Sequence, residues 1–323
     1  MTSMRVRVSL ALVALSLLPG CVMGGSPQTT TQSTSTPAPR PVMTWVAPYA
    51  VKVSKARLNE SFEGVGMKDG LTDLALQFWQ PSADGSAVER VQRGDDTSDA
   101  AVKELRDWGR AHNVRVLLCV YNYNTTTESW DWPWARKGFA DHPKEFVASL
   151  ISEMDRLELD GIDLDLEGNG SLDADKDVYL SFVRDVSAQV RKRGKRLTID
   201  TFAYIWHAPN QTWWKELFPL VDGINSMGYE EIGANAGAAN EPWRSFAAQE
   251  EASGDNVGKL MLGMPGYKDE WRGKGALEQL RWLRDRGHAG LSIWDSQLDA
   301  GAWRTRDAWT TVADIRKGQR GAR

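Results

Sequence analysis

The sequence predicts an α/β fold, a (β/α)8 TIM barrel, from three observations. The chain has 323 residues, enough for one barrel of about 250 residues with additions. From residue 42 onward, short apolar runs alternate with longer amphipathic ones. One of the short runs alternates acidic with aliphatic residues, a pattern with period two that is typical of a strand. Eight strand–helix units in succession indicate a closed parallel barrel.

Each predicted strand is a short apolar run followed by a helix-like stretch. The eight runs are 42–51, 71–80, 114–123, 159–167, 196–206, 221–229, 259–264 and 290–294. Predicted helices include 100–112, 143–157, 178–193 and 275–286. A doubly wound open sheet is the alternative, but no glycine-rich phosphate loop follows the first strand. We find no second domain and no internal repeat in residues 42–323.

The fourth strand carries the most informative pattern, because residues 160–167 read DGIDLDLE. On a strand, Asp163, Asp165 and Glu167 share one face and the aliphatic residues share the other. Neighbours two positions apart lie about 6–7 Å from one another. Like charges at that distance raise at least one pKa, so a proton can be held for delivery. The alternative is an exposed strand with one solvated face.

The barrel orders these acids by depth. Active sites of such barrels lie at the carboxyl ends of the strands. Glu167 is therefore expected at the mouth, with Asp165 one layer below and Asp163 deeper, where it would share a proton with Asp165. Asp160 precedes the strand and is expected to be a structural hydrogen-bonding residue.

This run resembles the D-G-x-D-x-D-x-E motif of glycoside hydrolase family 18, the chitinase-like and endo-β-N-acetylglucosaminidase-like family. The resemblance implies a retaining, substrate-assisted glycosidase, in which the 2-acetamido oxygen of the substrate attacks its own anomeric carbon. Glu167 would then be the general acid and base, Asp165 would orient the acetamido group, and Asp163 would tune Asp165. No cofactor and no metal are implied.

Other strand ends also resemble the family. Residues 225–229 read NSMGY, like its M-x-Y element, so Tyr229 would bind the acetamido carbonyl, with Met227 and Asn225 on the same face. Trp294 resembles the residue that floors the sugar pocket. Residues 263–267 read GMPGY, loosely like its Pro-x-Tyr turn.

The sequence departs from the family pattern at two places, and the second bears on the substrate. Glu230 stands where the family has Asp after the tyrosine. The third strand ends in residues 119–122, CVYN, where many chitinases have S-x-G-G. Side chains such as Tyr121 would reshape that side of the site and contact substrate, which puts a chitin substrate in doubt.

Tryptophan is abundant, with 15 residues, and indole faces stack well on sugars. Two groups fall at or after predicted strand ends and are expected on the active-site face: Trp79, Trp206, Trp271 and Trp294, and the loop residues Trp130, Trp132 and Trp134. Of these we assign Trp79, Trp206 and Trp294 to substrate binding. His207 is expected either at the pocket or on the surface.

The N-terminus is predicted to be a targeting segment. Arg5 and Arg7 precede a short apolar run, which ends at Cys21 in a sequence resembling a bacterial lipoprotein cleavage site. Residues 1–20 would be removed, Cys21 lipidated, and residues 21–41 would form a disordered tether. The protein would be exported and anchored to the cell envelope, at the outer membrane or cell surface. Export as a free protein is the alternative. Cys119 is expected to be a buried thiol.

Charge and composition limit the partners. The net charge of −4 gives no basis for nucleic-acid binding. The four histidines have no metal-ligand spacing. Chitin-like oligomers, peptidoglycan and N-glycans all offer N-acetylglucosamine, and we expect a monomer. The alternatives are a non-catalytic carbohydrate-binding protein on the same barrel and a metal-dependent phosphohydrolase.

Overall fold

The computed structural model describes residues 38–92, 94–228, 242–267, 271 and 273–321. The predicted leader, Cys21 and the tether up to residue 37 lie outside these residues, as do Tyr229 and Glu230. Among the helices described, none is long and apolar enough to cross a membrane.

Eight parallel strands form a closed barrel. They are β1 (Val42–Val46), β2 (Asp73–Pro81), β3 (Arg115–Tyr121), β4 (Gly161–Asp165), β5 (Arg196–Thr201), β6 (Gly223–Ser226), β7 (Leu260–Pro265) and β8 (Gly290–Trp294). Each strand pairs with its neighbours in chain order, and β1 pairs with both β2 and β8. The predicted fold class is confirmed.

Helices surround the barrel. They are α1 (Val51–Leu58), α2 (Met67–Gly70), α3 (Asp99–His112), α4 (Trp132–Arg136), α5 (Pro143–Arg156), α6 (Lys176–Lys192), α7 (Trp214–Leu217), α8 (Pro242–Ser253), α9 (Gly273–Arg286) and α10 (Arg306–Arg316). One π-helical turn covers Lys137–Asp141. Short 3-10 turns cover Asp173–Asp175, Gln211–Trp213, Gly254–Lys259 and Gly301–Trp303. Short strands outside the barrel are Val88–Arg90, Tyr123–Asn124, Ser129–Trp130, Gly168–Asn169 and His207–Ala208.

Helix α3 shows why the sequence forms these elements where it does. The Ser98 hydroxyl accepts a hydrogen bond from the backbone N–H of Ala101 and so caps the first turn. Asn113 ends the helix in the left-handed region, with φ of 55°, a conformation that Asn tolerates better than most residues. Arg110 and His112 lie in the last turn, where the helix dipole favours positive charge.

The barrel divides the core into two apolar clusters. The larger cluster lies between strands and helices. The smaller cluster fills the lumen and consists of Met43, Trp45, Ala75, Leu117, Cys119 and Met261. Cys119 is a free, fully buried thiol, as predicted. The buried polar pair Asp163 and Thr198 lies beside this cluster, and Asp165 and Asp200 lie nearer the carboxyl ends of the strands.

The folded part begins earlier than the sequence predicts. Arg40 falls within the predicted tether, yet it is buried. Its guanidinium donates hydrogen bonds to the carbonyl oxygens of Leu283, Ala289, Arg284 and Gln319. The tether prediction is therefore wrong at its last residues, because one charged side chain finds four carbonyl acceptors, two of them buried, that composition does not reveal.

Candidate active site

A cavity of about 290 Å³ opens at the carboxyl ends of the strands. Its lining is acidic and aromatic. The lining residues are Trp45, Trp130, Asp165, Glu167, Gly168, Asn169, Asp200, Phe202, Tyr204, His207, Met227, Tyr267 and Trp294. The structure thus brings Asp165, Glu167, Met227 and Trp294 together, as the sequence predicts, and adds His207 to the lining.

Glu167 lies two residues beyond the end of β4. The backbone of Glu167 is held by Asn122, a residue that follows β3. The Asn122 amide donates to the Glu167 carbonyl oxygen at 2.8 Å, and its oxygen accepts from the Glu167 N–H, also at 2.8 Å. The backbone at Glu167 is therefore fixed by a residue at the end of the neighbouring strand.

Asp163 is the deepest of the three predicted acids and is fully buried. The Trp45 indole N–H donates to its Oδ2 at 2.8 Å, and the Thr198 hydroxyl donates to its Oδ1 at 2.5 Å. Burial raises the Asp163 pKa to about 6, although these hydrogen bonds lower it. Both oxygens are occupied by donors that favour the ionised form.

Asp165 lies above Asp163 and accepts a hydrogen bond at 2.7 Å from the Gln77 amide on its Oδ2. Among the described residues, no amide, hydroxyl or amine reaches its buried Oδ1. Its carboxyl group contacts those of Glu167 and Asp200, whereas Asp163 acts on it through charge. The prediction that Asp165 shares its proton with Asp163 is therefore corrected: its carboxyl partners are Glu167 and Asp200.

Burial is the main reason that these carboxyl groups hold protons. It raises the Asp165 pKa to about 7, with the Asp163 charge adding to the effect. Burial and the Asp165 charge raise the Glu167 pKa well above its ordinary value. Near neutral pH, Glu167 therefore carries a proton beside a carboxylate, which is the state required of a general acid.

Asp200 is a fourth buried carboxyl group, which the sequence analysis missed. It lies near the end of β5, and Asn225 on β6 donates to its Oδ1 at 2.7 Å. Burial, together with the charges of Asp163 and Asp165, raises its pKa well above the ordinary value. An oxygen of Asp200, an oxygen of Asp165 and the Cys119 Sγ lie within 4.8 Å of one another. The available signal was one acid in the otherwise apolar and hydroxylated run 197–201.

Aromatic rings form the other wall. Trp294 tilts against Trp45 with ring centroids 5.7 Å apart. Trp294 and Trp130 also line a second cavity of about 410 Å³, so these two rings form a wall common to both cavities. Tyr121 lines the second cavity, with its ring edge towards Trp130 at 6.3 Å. Tyr121 is therefore beside the acidic cavity rather than within it.

Trp206 lies near the rim. Its ring is 59% exposed and stacks on Tyr204, a cavity-lining residue, at 4.3 Å with 14° between planes. Other exposed large apolar residues, Tyr49, Ile205 and Tyr267, also line or adjoin the two cavities. The mouth therefore presents flat apolar surface to the solvent, as expected at a sugar-binding cleft.

Trp79 does not line either cavity, and its assignment to substrate binding is wrong. Pairing of β2 with β3 shifts register between Leu76 and Trp79, and such a bulge turns the following side chains. Gln77 faces the lumen, but Trp79 packs in the outer cluster with its indole N–H on Glu153 at 3.0 Å. Trp271 and Trp132 are also buried, and Trp271 stacks on Trp303 at 4.4 Å. Trp134 is half-buried, with its indole N–H on the Ser82 carbonyl oxygen.

The sixth strand supplies the remaining predicted residues. Met227 lines the cavity, and Asn225 lies below it as the partner of Asp200. Tyr229 lies outside the described residues, so its role stays a prediction. Asp160 accepts a hydrogen bond from the Val116 N–H at 2.9 Å near the amino ends of the strands, in line with the structural role expected of it.

The family comparison agrees with this geometry. The family described as glycosyl hydrolases family 18 matches residues 46–311. The chain belongs to glycosyl hydrolases family 18. It is therefore a glycosidase by family, built on the family's barrel. Comparison with curated proteins gives no match.

Solved structures show the same barrel at low sequence identity. A chitinase from Chromobacterium violaceum is 15% identical, with a TM-score of 0.66 over 85% of this chain and 98% of its own. The spore cortex-lytic enzyme SleL of Bacillus cereus is 12% identical, with a TM-score of 0.64 over 86% of this chain and 75% of its own. A group IV chitinase from Ostrinia furnacalis is 12% identical, with a TM-score of 0.66 over 85% and 99%. At these identities the likeness concerns the fold.

Three further residues of this family 18 site escaped the sequence analysis. They are Gln77, which binds Asp165, Trp45, which binds Asp163, and Asn122, which holds Glu167. Gln77 is flanked by apolar residues within β2 and Asn122 directly follows the apolar β3, and that placement was the only signal. The departure at residues 119–122 is thus functional in part, because Asn122 fixes the acid.

Proposed function

We propose that this family 18 member is a retaining, substrate-assisted glycosidase that cleaves the β-linkage after an N-acetylglucosamine residue. The observation that carries the proposal is the contact between the Glu167 and Asp165 carboxyl groups in a cavity walled by Trp294. One group of this pair holds a proton and the other is ready to carry the charge. Acid catalysis and stabilisation of a developing cation need that division of roles.

In the first step, Glu167 gives its proton to the glycosidic oxygen, and the bond from that oxygen to the anomeric carbon breaks. The acetamido oxygen of the same sugar bonds to the anomeric carbon and forms an oxazolinium ion. Asp165 accepts a hydrogen bond from the acetamido N–H and stabilises the positive charge. In the second step, Glu167 removes a proton from water, which attacks the anomeric carbon and restores the acetamido group.

The charge of the cavity favours a neutral sugar at the cleavage position. Its described lining includes Asp165, Glu167 and Asp200 but neither lysine nor arginine. A carboxylate on the bound sugar, such as the lactyl group of muramic acid, would meet like charge without a cation to balance it. We therefore place N-acetylglucosamine there, within chitin-like, peptidoglycan or N-glycan substrates. The structural relatives include both chitinases and a spore cortex-lytic enzyme.

The cellular setting of the proposal comes from the sequence alone. We propose an exported monomer, held at the cell envelope by a lipid on Cys21, acting on envelope or environmental glycans. Labelling of cells with a radioactive fatty acid tests the anchor. The wild-type chain should carry label, and Cys21→Ala should carry none.

A glycan panel tests the reaction. Purified protein is incubated with chitooligosaccharides, peptidoglycan strands and high-mannose glycopeptides, and new reducing ends are counted. We expect release from at least one substrate, unaffected by EDTA, and inhibition by a thiazoline that mimics the cyclised acetamido group. Binding without cleavage on every substrate would favour a carbohydrate-binding protein. Cleavage insensitive to the thiazoline would exclude participation of the acetamido group.

A further inference from the structure

Asp200 occupies a place in the cavity that the proposed reaction does not use. It comes from β5, one strand away from the strand that carries Asp163 and Asp165. Asn225 occupies its Oδ1, and its carboxyl group contacts that of Asp165. The Asp165 Oδ1 is buried and, within the described chain, receives no hydrogen bond from a group other than a carboxyl. A protonated neighbouring carboxyl group would supply the donor that this oxygen lacks.

We propose that Asp200 is a positioning residue, a neutral carboxylic acid whose O–H donates a hydrogen bond to Asp165 and holds the Asp165 carboxylate in its catalytic orientation. The Asn225 amide fixes the Asp200 carboxyl group by binding Oδ1, which leaves Oδ2 to carry the proton. Asp165 is then held by Gln77 on Oδ2 and by its contact with the Asp200 carboxyl group.

The surroundings of Asp200 favour its neutral form. The titratable groups that face it in the described residues are Cys119, Asp163, Asp165, Glu167 and Tyr179. None of these is a cation at neutral pH, and two of the three other carboxyl groups contribute negative charge. Two ionised carboxylates in contact within a buried site repel each other strongly, so one of each touching pair keeps its proton. His207 lines the same cavity, and burial lowers its pKa, so it is neutral as well.

This inference rests on the proposed reaction for its catalytic meaning. Glu167 holds Asp165 only until its proton passes to the leaving group. Gln77 and Asp200 are not consumed in that step, so they keep the Asp165 carboxylate aligned with the acetamido N–H while the oxazolinium ion exists. A hydrogen bond to the charged form also lowers the Asp165 pKa and keeps it ionised at lower pH.

Three substitutions at one position test the role. Asp200→Asn keeps the size and supplies a permanent N–H donor, Asp200→Leu keeps the size without a donor, and Asp200→Ala removes both. We expect Asp200→Asn to stay within about threefold of wild type in kcat/KM. Asp200→Leu and Asp200→Ala should lose about tenfold or more, mostly in kcat. The acidic limb of the kcat/KM profile should move up by about one pH unit in these two variants only.

A spectroscopic measurement tests the proton without using activity. Infrared spectra at neutral pH record the carbonyl stretch of protonated carboxyl groups. Asp200→Asn should remove part of that band from the folded protein, Glu167→Gln another part, and the double variant both. This result would hold even if no glycan in the panel were cleaved, so it separates this inference from the proposed function.

Two results would overturn the inference. An unchanged band in Asp200→Asn would show that Asp200 is ionised. Equal loss of activity in Asp200→Asn and Asp200→Leu would show that a carboxylate is needed and not a donor. A carboxylate at this position could instead be a metal ligand, because Cys119 and Asp165 are close to it. Calorimetric titration with Zn²⁺ tests that role. Tight binding in wild type, lost in Asp200→Asn, would likewise overturn it.

Discussion

The two ends of the barrel treat buried acids in opposite ways. Asp73 begins β2 at the amino end and is fully buried. Arg115 donates to its two oxygens at 2.7 and 3.0 Å, and the Arg196 Nε lies 3.2 Å from Oδ1. At the carboxyl end, Asp165 and Asp200 are equally buried but contact other carboxyl groups.

This difference shows that burial alone does not identify a catalytic acid. The Asp73 carboxylate lies between two guanidinium groups that balance its charge. A buried carboxyl group that contacts another one holds or releases a proton with a small change in its surroundings. We therefore expect the acid at the amino end to stabilise the fold, and the acids at the carboxyl end to exchange protons.

The largest expected effect is at the acid itself. Glu167→Gln removes the proton donor while keeping size and hydrogen-bonding capacity, so kcat should fall at least ~10²-fold with little change in unfolding free energy. Reducing-end assays and thermal unfolding measure the two quantities. The matched control is Glu153→Gln, the same chemical change outside the cavity, which should leave kcat unchanged. Retained activity in Glu167→Gln would exclude the assignment.

The next effect is a loss of stability at the amino end of the barrel. Asp73→Asn removes the charge that neutralises Arg115 and Arg196, so the free energy of unfolding should fall by about 2–4 kcal/mol. Partial exposure of Arg115 places the expected loss towards the lower end of that range. Urea unfolding measures it. Asp185→Asn, at an exposed site on α6, should change stability by less than about 0.5 kcal/mol. An unaffected Asp73→Asn would mean that the pairing at the amino end contributes little.

The pH dependence of stability should have a definite sign at the carboxyl end. The Asp165 pKa is about 7 in the folded protein and about 3.9 when unfolded. The folded state therefore binds more protons between these values, and stability falls as pH rises from about 4 to 7. Asp165→Asn cannot ionise, so it should be more stable than wild type by on the order of 2 kcal/mol at pH 7, and by much less at pH 4. An equal difference at both pH values would contradict the raised pKa.

The smallest effects concern the aromatic residues. Trp294→Ala should raise KM by about tenfold, because the ring walls the cavity. Trp206→Ala should raise KM by about threefold, and only for longer oligomers, since the ring lies at the rim.

Trp79→Phe should leave KM unchanged and lower stability by about 1–2 kcal/mol, because it loses the hydrogen bond to Glu153. A raised KM in Trp79→Phe would show that Trp79 does contribute to substrate binding.

The sequence was sufficient for the barrel because alternation and apolar runs are local patterns. Residues 160–167 place Asp163, Asp165 and Glu167 together by strand geometry alone. The Trp79 assignment failed because the bulge in β2 depends on pairing with β3, which no local pattern reveals. Asp200 was missed because a single acid on one strand gains meaning only when closure of the barrel brings it to another.

Strand ends were also less predictable than strand positions. The first predicted strand runs to residue 51, whereas β1 ends at Val46 and the chain continues into α1. Apolar composition continues across both elements, and only tertiary contacts decide where pairing stops. The tryptophans show the same limit: Trp294 is the last residue of β8 and lines the cavity, whereas Trp271 follows β7 and is buried elsewhere.

The anchoring of Arg40 has a mechanical consequence. Its guanidinium binds carbonyl oxygens on α9, just before β8 and near the C-terminus, while β1 begins two residues later. Tension applied to the chain ahead of Arg40 is therefore distributed over the segments where the first and last strands meet. It does not act on β1 alone. A pull from the N-terminal side would reach the acids at the far end only after those segments had separated.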